Sequence, residues 1–371
     1  MTQSTENTPV KRLWYTRCPA PTPFGIAIQQ GWLQDEFRND GIDIQALQDS
    51  SDPVIRQSHF THAQAHSFRQ GGNIPALWAR AQGADTRVIG LSWVDEFQGL
   101  VALPSTGIEG PADLRGRRFG LPRNTRAKVV DFHRATALRG FVTLLGAVGL
   151  TLDDVKLVDL PTAPRGLADE PAVLDSGAAR LLATERGHEF SFEALALVRD
   201  EVDVVFVKGA SGLEAANLIG ARAIVDLSDQ PDRLAHANNG TPRPLTVDAG
   251  LLRERPDLVA RVLSRAIQAG EWASAHPQDA TAYVARETRS AEHWAKHAYG
   301  SQLATQLQIG LDRNAIAAFD HFKRFLFKHE FIAQEFDIAS WIDPVPLGKP
   351  VNAPVLLLSV SRGGSVPPAI E

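Results

Sequence analysis

Thiols are nearly missing from this chain of 371 residues, since Cys18 is its one cysteine. A single thiol excludes an internal disulfide framework and any zinc or iron–sulfur site built from several cysteines. No apolar run approaches the roughly 20 residues that a membrane-spanning helix requires. Residues 1–10 show no basic region followed by an apolar one, which is the pattern of a secretion signal. We therefore expect a cytoplasmic protein that does not associate with membranes.

An excess of positive charge is also missing. The chain has 38 Lys and Arg against 43 Asp and Glu, a formal charge of −5, with the basic residues spread along its length. Such a distribution provides no electrostatic footprint for nucleic acid. At about 100–200 residues per domain, the length and a hydrophobic content of 44% indicate a globular protein of about two domains.

Short apolar runs alternate with amphipathic segments through the first half of the chain, and this alternation predicts an α/β protein with a mostly parallel sheet. Strands are predicted at 12–16, 42–47, 86–93, 99–103, 118–121, 155–160, 202–207 and 222–227. The final third is predicted to be rich in helix. Helices are predicted at 24–37, 256–275, 278–287, 292–308 and 314–327.

Cys18 stands directly after the first predicted strand and before the first predicted helix. Ligands of open α/β sheets bind at the carboxyl ends of strands, and a thiolate is stabilised near a helix N-terminus. A lone cysteine is more often a small buried hydrophobe. Its position makes Cys18 a candidate for chemistry as well as for packing.

Residues 58–75 contain three histidines, His59, His62 and His66, whose i, i+3, i+7 spacing would place them on one face of a helix and could suit a metal. The run offers no carboxylate or thiol as a further ligand or base. A polar helix face is the favoured interpretation, and we predict neither metal nor cofactor.

Arg69 is followed by Gly71 and Gly72. A guanidinium can bind two oxygens of one anion, and glycines allow backbone N–H groups to approach the same anion closely. The pattern indicates an anion-binding site, although a glycine turn alone would explain it about as well.

Three motifs together resemble one enzyme family. They are Y-x-x-C-P-x-P at 15–21, H-F-T at 59–61 followed by Gln64, and R-x-G-G-x-I-P at 69–75. In this order they resemble the 2'-hydroxybiphenyl-2-sulfinate desulfinases of dibenzothiophene desulfurisation, which are cofactor-free cytoplasmic enzymes with the type II periplasmic-binding-protein fold. A further pattern at 107–118 resembles the crossover between the two lobes of that fold. The resemblance implies a first lobe over 1–103, a second lobe over 104–228, and a return to the first lobe with helical segments over 229–371.

The resemblance also implies functional residues. Cys18, His59 and Arg69 take the positions of the essential cysteine, the histidine and the sulfinate-binding arginine. Substrate contacts are implied for Thr16, Phe60, Gln64, Gly71 and Gly72. Two departures are visible: His62 replaces a tyrosine of the family motif, and Thr136 lies, with no tryptophan nearby, on the helix that supplies an aromatic wall.

The implied activity is hydrolysis of the carbon–sulfur bond of an aryl sulfinate with release of sulfite. Cys18 would act as nucleophile or proton donor, His59 would tune it, and Arg69 would hold the sulfinate. The alternative is a non-catalytic solute-binding protein for an organosulfonate or another aromatic anion, because the fold alone does not decide between enzyme and receptor.

Overall fold

The computed structural model describes residues 10–16, 18–124, 129–162, 190–228 and 230–348. Within these residues the strands are β1 (Arg12–Thr16), β2 (Asp43–Ala46), β3 (Ser67–Gln70), β4 (Thr86–Ser92), β5 (Gln98–Ala102), β6 (Arg118–Asn124), β7 (Lys156–Thr162), β8 (Val204–Lys208), β9 (Arg222–Asp226) and β10 (Arg243–Asp248). The helices are α1 (Pro23–Gln29), α2 (Trp32–Phe37), α3 (Pro53–Thr61), α4 (Asn73–Ala81), α5 (Phe132–Ala147), α6 (Ser191–Val198), α7 (Gly209–Leu218), α8 (Ala249–Glu254), α9 (Pro256–Ala275), α10 (Pro277–Thr288), α11 (Glu292–Tyr299), α12 (Leu303–Gln306), α13 (Arg313–Lys328) and α14 (Ile338–Trp341).

The strands form two five-stranded sheets, with the orders β2-β1-β3-β10-β4 and β7-β6-β8-β5-β9. The prediction of a mostly parallel arrangement is wrong, because each sheet has two parallel and two antiparallel pairs. Every antiparallel pair includes β5 or β10, the strands through which the chain enters a sheet from the other one. Parallel neighbours in a sheet must be joined by a crossover connection, usually a helix. Strands β5 and β10 are reached from the other sheet instead, so no such crossover aligns them with their neighbours.

The chain changes sheets at residues 93–97 and returns at 227–242. Strand β5 was predicted to end the first lobe at residue 103, but it lies in the second sheet. The chain therefore leaves the first sheet about one strand earlier than the turn-forming residues after Leu103 suggested.

Two predicted helices are each interrupted at a glycine in the left-handed region. The segment 24–37 divides at Gly31, with φ 74°, and 292–308 divides at Gly300, with φ 71°. Glycine adopts this conformation without the steric penalty of a side chain, so it ends a helix where periodicity alone would continue it. The long helix α9 begins with Pro256 at its first turn, as predicted, and buries one face against the first sheet. Among the described residues, no helix combines the length and the hydropathy needed to cross a membrane.

Both connections between the sheets meet at the buried carboxylate of Glu96. Its Oε1 accepts hydrogen bonds from Lys208 Nζ at 2.5 Å and from Thr241 Oγ1 at 3.0 Å, and Oε2 accepts one from Arg243 Nη2 at 3.3 Å. Lys208 ends a strand of the second sheet, and Arg243 begins β10 in the first. This charge cluster therefore joins the two lobes at their hinge.

We predict that Glu96→Gln destabilises the fold by about 3–5 kcal/mol, because the substitution leaves two cations in the hinge without their carboxylate. Arg243 is the critical one, since its side chain is 1% exposed. Urea unfolding at neutral pH measures the change. The control is Asp35→Asn, which breaks an exposed pair with Arg38 and should cost less than about 1 kcal/mol.

The effect of Glu96→Gln should also depend on pH. Burial raises the pKa of Glu96, but the charges of Lys208 and Arg243 and the hydrogen bonds from Lys208 and Thr241 outweigh it and hold the pKa below the usual 4.5. A lowered carboxyl pKa contributes stability that is present above the unfolded-state value and is lost as pH falls through the folded-state value. The difference in free energy of unfolding between wild type and Glu96→Gln should therefore become smaller below about pH 4.5. A difference that does not change with pH would contradict this account.

Candidate functional site

The candidate site lies where two neighbouring strands of the first sheet end. Strands β1 and β3 run parallel, with Thr16 opposite Arg69. Cys18 and Gly71 follow these paired residues, so they meet at the same edge. A Cβ on Gly71 would lie 2.5 Å from Cys18 Cβ and closer still to Sγ, which shows that the cysteine packs directly against the bare glycine backbone. The structure thus brings together Thr16, Cys18, Arg69 and Gly71.

The guanidinium of Arg69 is a buried cation, 4% exposed. Its Nε and Nη1 atoms have no hydrogen-bond partner among the described residues. Burial lowers the pKa of Arg69, and the nearby Cys18 partly counters that effect. A buried charge without a partner is unfavourable in an isolated protein. An anion bound at this cation would find two unused donors and an uncompensated charge.

His62 lies beside Arg69 and is 8% exposed. Its Nε2 also has no hydrogen-bond partner in the described part of the chain. Burial, followed by the charges of Arg69 and His59, holds the pKa of His62 well below 6.5, so the ring is neutral at neutral pH. A neutral imidazole leaves the charge of Arg69 as the dominant one at the site and can donate one hydrogen bond and accept another.

The helix expected to carry three histidines ends earlier than predicted. Helix α3 stops at Thr61, His62 takes a left-handed conformation with φ 53°, and His66 does so with φ 57°. His59, His62 and His66 therefore do not form one helical face, and the geometry that could have suited a metal is not present. Among the described residues, no three His, Cys, Asp or Glu side chains are grouped to hold a metal ion.

His59 and Phe60 lie on the last turn of α3. The Nδ1 atom of His59 is 3.3 Å from Gln48 Nε2, and its ring packs on that of Phe60 at 4.5 Å between centroids. The charge of His59 also lowers the pKa of His62, after burial and the charge of Arg69. Phe60 reaches across to the second lobe and stacks on Phe132.

Two of the predicted substrate contacts have other partners in the structure. The amide of Gln64 donates to the neighbouring Ala65 carbonyl at 3.2 Å. Gly72 faces Asn239, whose Oδ1 would lie 2.6 Å from a Cβ at that position. The roles of both residues in substrate binding remain predictions.

Sequence reasoning missed the contact of Asn239 with Gly72 and that of Phe132 with Phe60. It noted His62 but not its burial beside Arg69. Asn239 Oδ1 accepts the backbone N–H of Ile74 at 3.2 Å and so caps the first turn of α4. The Asn-Asn-Gly run at 238–240 is a turn signal, but nothing local shows that this turn meets Gly72. These contacts arise only when the return segment packs beside β3.

We predict that Gly71→Ala reduces activity about a hundredfold, because a misplacement of reacting groups by about 1 Å has consequences of that size. The added methyl group would displace Cys18 from its present position. Turnover at saturating substrate measures the effect. The control is Gly310→Ala, since a Cβ there meets nothing within 4 Å, and comparable losses in both variants would contradict the account.

Comparisons with known proteins show what this chain is similar to in sequence and fold. Residues 19–164 match the family described as NMT1/THI5 like. Over 92% of its length the chain is 28% identical to the 2'-hydroxybiphenyl-2-sulfinate desulfinase of Rhodococcus erythropolis, of which it covers 93%. This protein is similar in sequence to a sulfinate desulfinase. The resemblance predicted from the three motifs is therefore confirmed along nearly the whole chain.

Solved structures place the desulfinase relative in the same fold. The crystal structure of the desulfurization enzyme DszB superposes with a TM-score of 0.66 at 26% identity, covering 91% of this chain and 98% of the other. Its cysteine-to-serine variant in complex with biphenyl-2-sulfinic acid gives 0.67 at 25% identity, with the same coverage. The periplasmic aliphatic sulphonate binding protein SsuA from Escherichia coli, 14% identical, gives 0.59 over 97% of this chain and 98% of its own. These structures confirm the predicted two-lobed, periplasmic-binding-protein-like α/β fold.

Proposed function

We propose that this protein is a desulfinase that hydrolyses the carbon–sulfur bond of an aryl sulfinate and releases sulfite. One observation carries the proposal: the buried Arg69, with two unused donors, lies beside Cys18 at the strand ends. The relatedness to the desulfinases supports the same reaction class. A cytoplasmic location remains a prediction from the N-terminal sequence, which cell fractionation would test.

Arg69 supplies the electrostatic part of the reaction. A guanidinium binds two sulfinate oxygens through parallel N–H donors, and such charge-assisted bonds are about twice as strong as neutral ones. The donors are already held in place by burial, so they stabilise the charge as it redistributes without reorganising. The adjacent Gly71, which has no side chain, leaves room for the Cys18 side chain.

Cys18 acts on the reacting bond by one of two balanced routes. As a thiol it protonates the ring carbon, the carbon–sulfur electron pair becomes the new C–H bond, and the released SO₂ adds water to give hydrogen sulfite and a proton that restores the thiol. As a thiolate it attacks sulfur, the electron pair leaves with carbon and takes a proton, and water then cleaves the Cys18–SO₂⁻ adduct to thiol and hydrogen sulfite. In either route His59 tunes the proton transfers, the role that the family resemblance implies for it.

The test is sulfite release from benzenesulfinate, biphenyl-2-sulfinate and propane-1-sulfinate, with the desulfinated hydrocarbon measured beside it. Equal amounts of sulfite and hydrocarbon from an aryl sulfinate are the expected result. Tight binding of these sulfinates or of the matching sulfonates, with no product from any of them, would overturn the proposal and leave the solute-binding alternative, which the shared fold of SsuA represents.

A further inference from the structure

A small polar cavity lies beside Cys18, between the ends of β1 and β3 and the helices α1 and α10. The polar residues that line it are Thr16, Cys18, Thr22, Gln70 and Glu287. Glu287, the next-to-last residue of α10, is 7% exposed. The thiol of the half-buried Cys18 therefore shares one cavity with a buried carboxyl group.

The contacts of Glu287 fix its carboxyl group in the cavity wall. Its Oε2 accepts a hydrogen bond from Gln29 Nε2 at 2.8 Å, which joins α10 to α1. A Cβ on Gly25 would lie 3.6 Å from Glu287 Cδ and 3.0 Å from Thr22 Oγ1. The carboxyl group and the Thr22 hydroxyl thus border the space that the missing side chain of Gly25 leaves.

This cavity suits a single water molecule. It has room for about one occupant of that size, and a buried water needs about two to four polar partners. Thr22 Oγ1 accepts the Gly25 N–H at 3.0 Å, so its hydroxyl hydrogen can be donated to a water. The carboxylate of Glu287 can accept a hydrogen from the same water. A water held by these two groups lies in the cavity that Cys18 also lines.

We propose that Glu287 is the general base for the water that desulfination consumes, and that it returns the proton of this water to Cys18. This inference rests on the proposed function for the reaction, in which both routes require water and end with Cys18 as a thiol. Relatedness to the desulfinases does not by itself assign this role to Glu287.

The proton balance is the same in both routes. The water oxygen forms a bond to sulfur, one O–H bond breaks, and its proton passes to the Glu287 carboxylate. The carboxyl group then gives that proton to the Cys18 thiolate. When the sulfur is released SO₂, the products are hydrogen sulfite and the thiol. When the sulfur is bound to Cys18, the S–S bond breaks in the same step, and the products are identical.

The first test is Glu287→Gln in the full-length protein with benzenesulfinate. The amide keeps the size of the side chain and an oxygen that accepts the Gln29 hydrogen bond, but it takes no proton from water. The kcat for sulfite release should fall about a hundredfold or more. The dissociation constant of benzenesulfinate, measured by calorimetry, should change less than about twofold, because the substitution spares the arginine that binds the anion.

Gln29→Ala is the matched control for a purely structural role of Glu287. It removes the hydrogen bond between α1 and α10 and leaves the carboxyl group in place. Its kcat should fall less than about threefold. Equal losses in Glu287→Gln and Gln29→Ala would overturn the inference, as would a Glu287→Gln rate within about threefold of the wild type.

Chemical rescue provides a readout that a structural role would not change. Glu287→Ala leaves space for a small carboxylate, so formate should raise its kcat at least about tenfold by supplying the missing base. Chloride at the same ionic strength should not. An equal response to both anions would overturn the inference.

Failure of the proposed function gives a different result. In that case the wild-type protein itself releases no sulfite, and the role of Glu287 falls with the reaction. If the wild type releases sulfite and only the results for the Glu287 variants differ from those expected, the desulfinase proposal stands and the water has another base.

Discussion

Replacing Cys18 by serine should slow sulfite release at least about a thousandfold, within the range that a positioned proton donor or nucleophile contributes. A hydroxyl is far less acidic than a thiol and far less nucleophilic than a thiolate, so both routes fail in the same variant. Serine is smaller than cysteine and fits against Gly71 without a new contact. Sulfinate affinity should therefore change little, and single-turnover kinetics with calorimetry would separate the two effects.

The same variant serves as the control for deciding between the routes. If the thiolate attacks sulfur, rapid quenching of the wild-type reaction followed by mass spectrometry should find Cys18 carrying an additional SO₂. If the thiol protonates carbon, no adduct forms, and the rate should fall in D₂O. A serine variant that retains a tenth or more of the wild-type rate would remove Cys18 from the chemistry altogether.

Eight of the ten strands in the described residues could be predicted, because their signal is local, whereas β3 and β10 were not predicted. Strand β1 keeps Leu13 to Thr16 buried, and such continuous burial follows directly from an apolar run between turn formers. The sheet order could not be predicted in this way. Nothing in the sequences of β5 and β10 indicates their direction, and their entry from the other sheet makes them antiparallel to their neighbours.

The sequence predicted which residues form the site more readily than it predicted how they are arranged. Cys18 was predicted from its position after a strand, and Arg69 from the two glycines that follow it. The pairing of β1 with β3 brings the two residues together. The burial of His62 had no local signal, because it follows from a left-handed residue that ends α3 early. Phe132 was overlooked for a related reason: it is separated from Phe60 by more than seventy residues, and their stacking depends on how the lobes meet.

Replacing Arg69 by methionine should have opposite effects on binding and on stability. Sulfinate affinity should fall about a hundred- to a thousandfold, since the variant loses both the charge and the fork of donors. The free energy of unfolding without ligand should rise by about 1–3 kcal/mol, because a buried cation lacking a partner gives way to an apolar side chain of similar length. Calorimetry and urea unfolding measure the two effects.

A second buried arginine provides the matched control. Arg139 is 7% exposed, and burial lowers its pKa to about 10. It donates to the carbonyls of Ala237 and Leu234, both at 2.9 Å. Arg139→Met would leave these acceptors unpaired and should destabilise the protein by about 1–3 kcal/mol, with sulfinate binding nearly unchanged.

The contrast between the two variants tests whether Arg69 is held for function. A structural arginine donates hydrogen bonds to acceptors of the protein, and its replacement lowers the free energy of unfolding. This is the result expected for Arg139. An arginine kept for a ligand lowers the stability of the free protein and recovers that energy only when the anion binds, through mass action. Loss of stability in Arg69→Met comparable to that in Arg139→Met would show that Arg69 belongs to the framework, and the anion site would have to be sought elsewhere in the cleft.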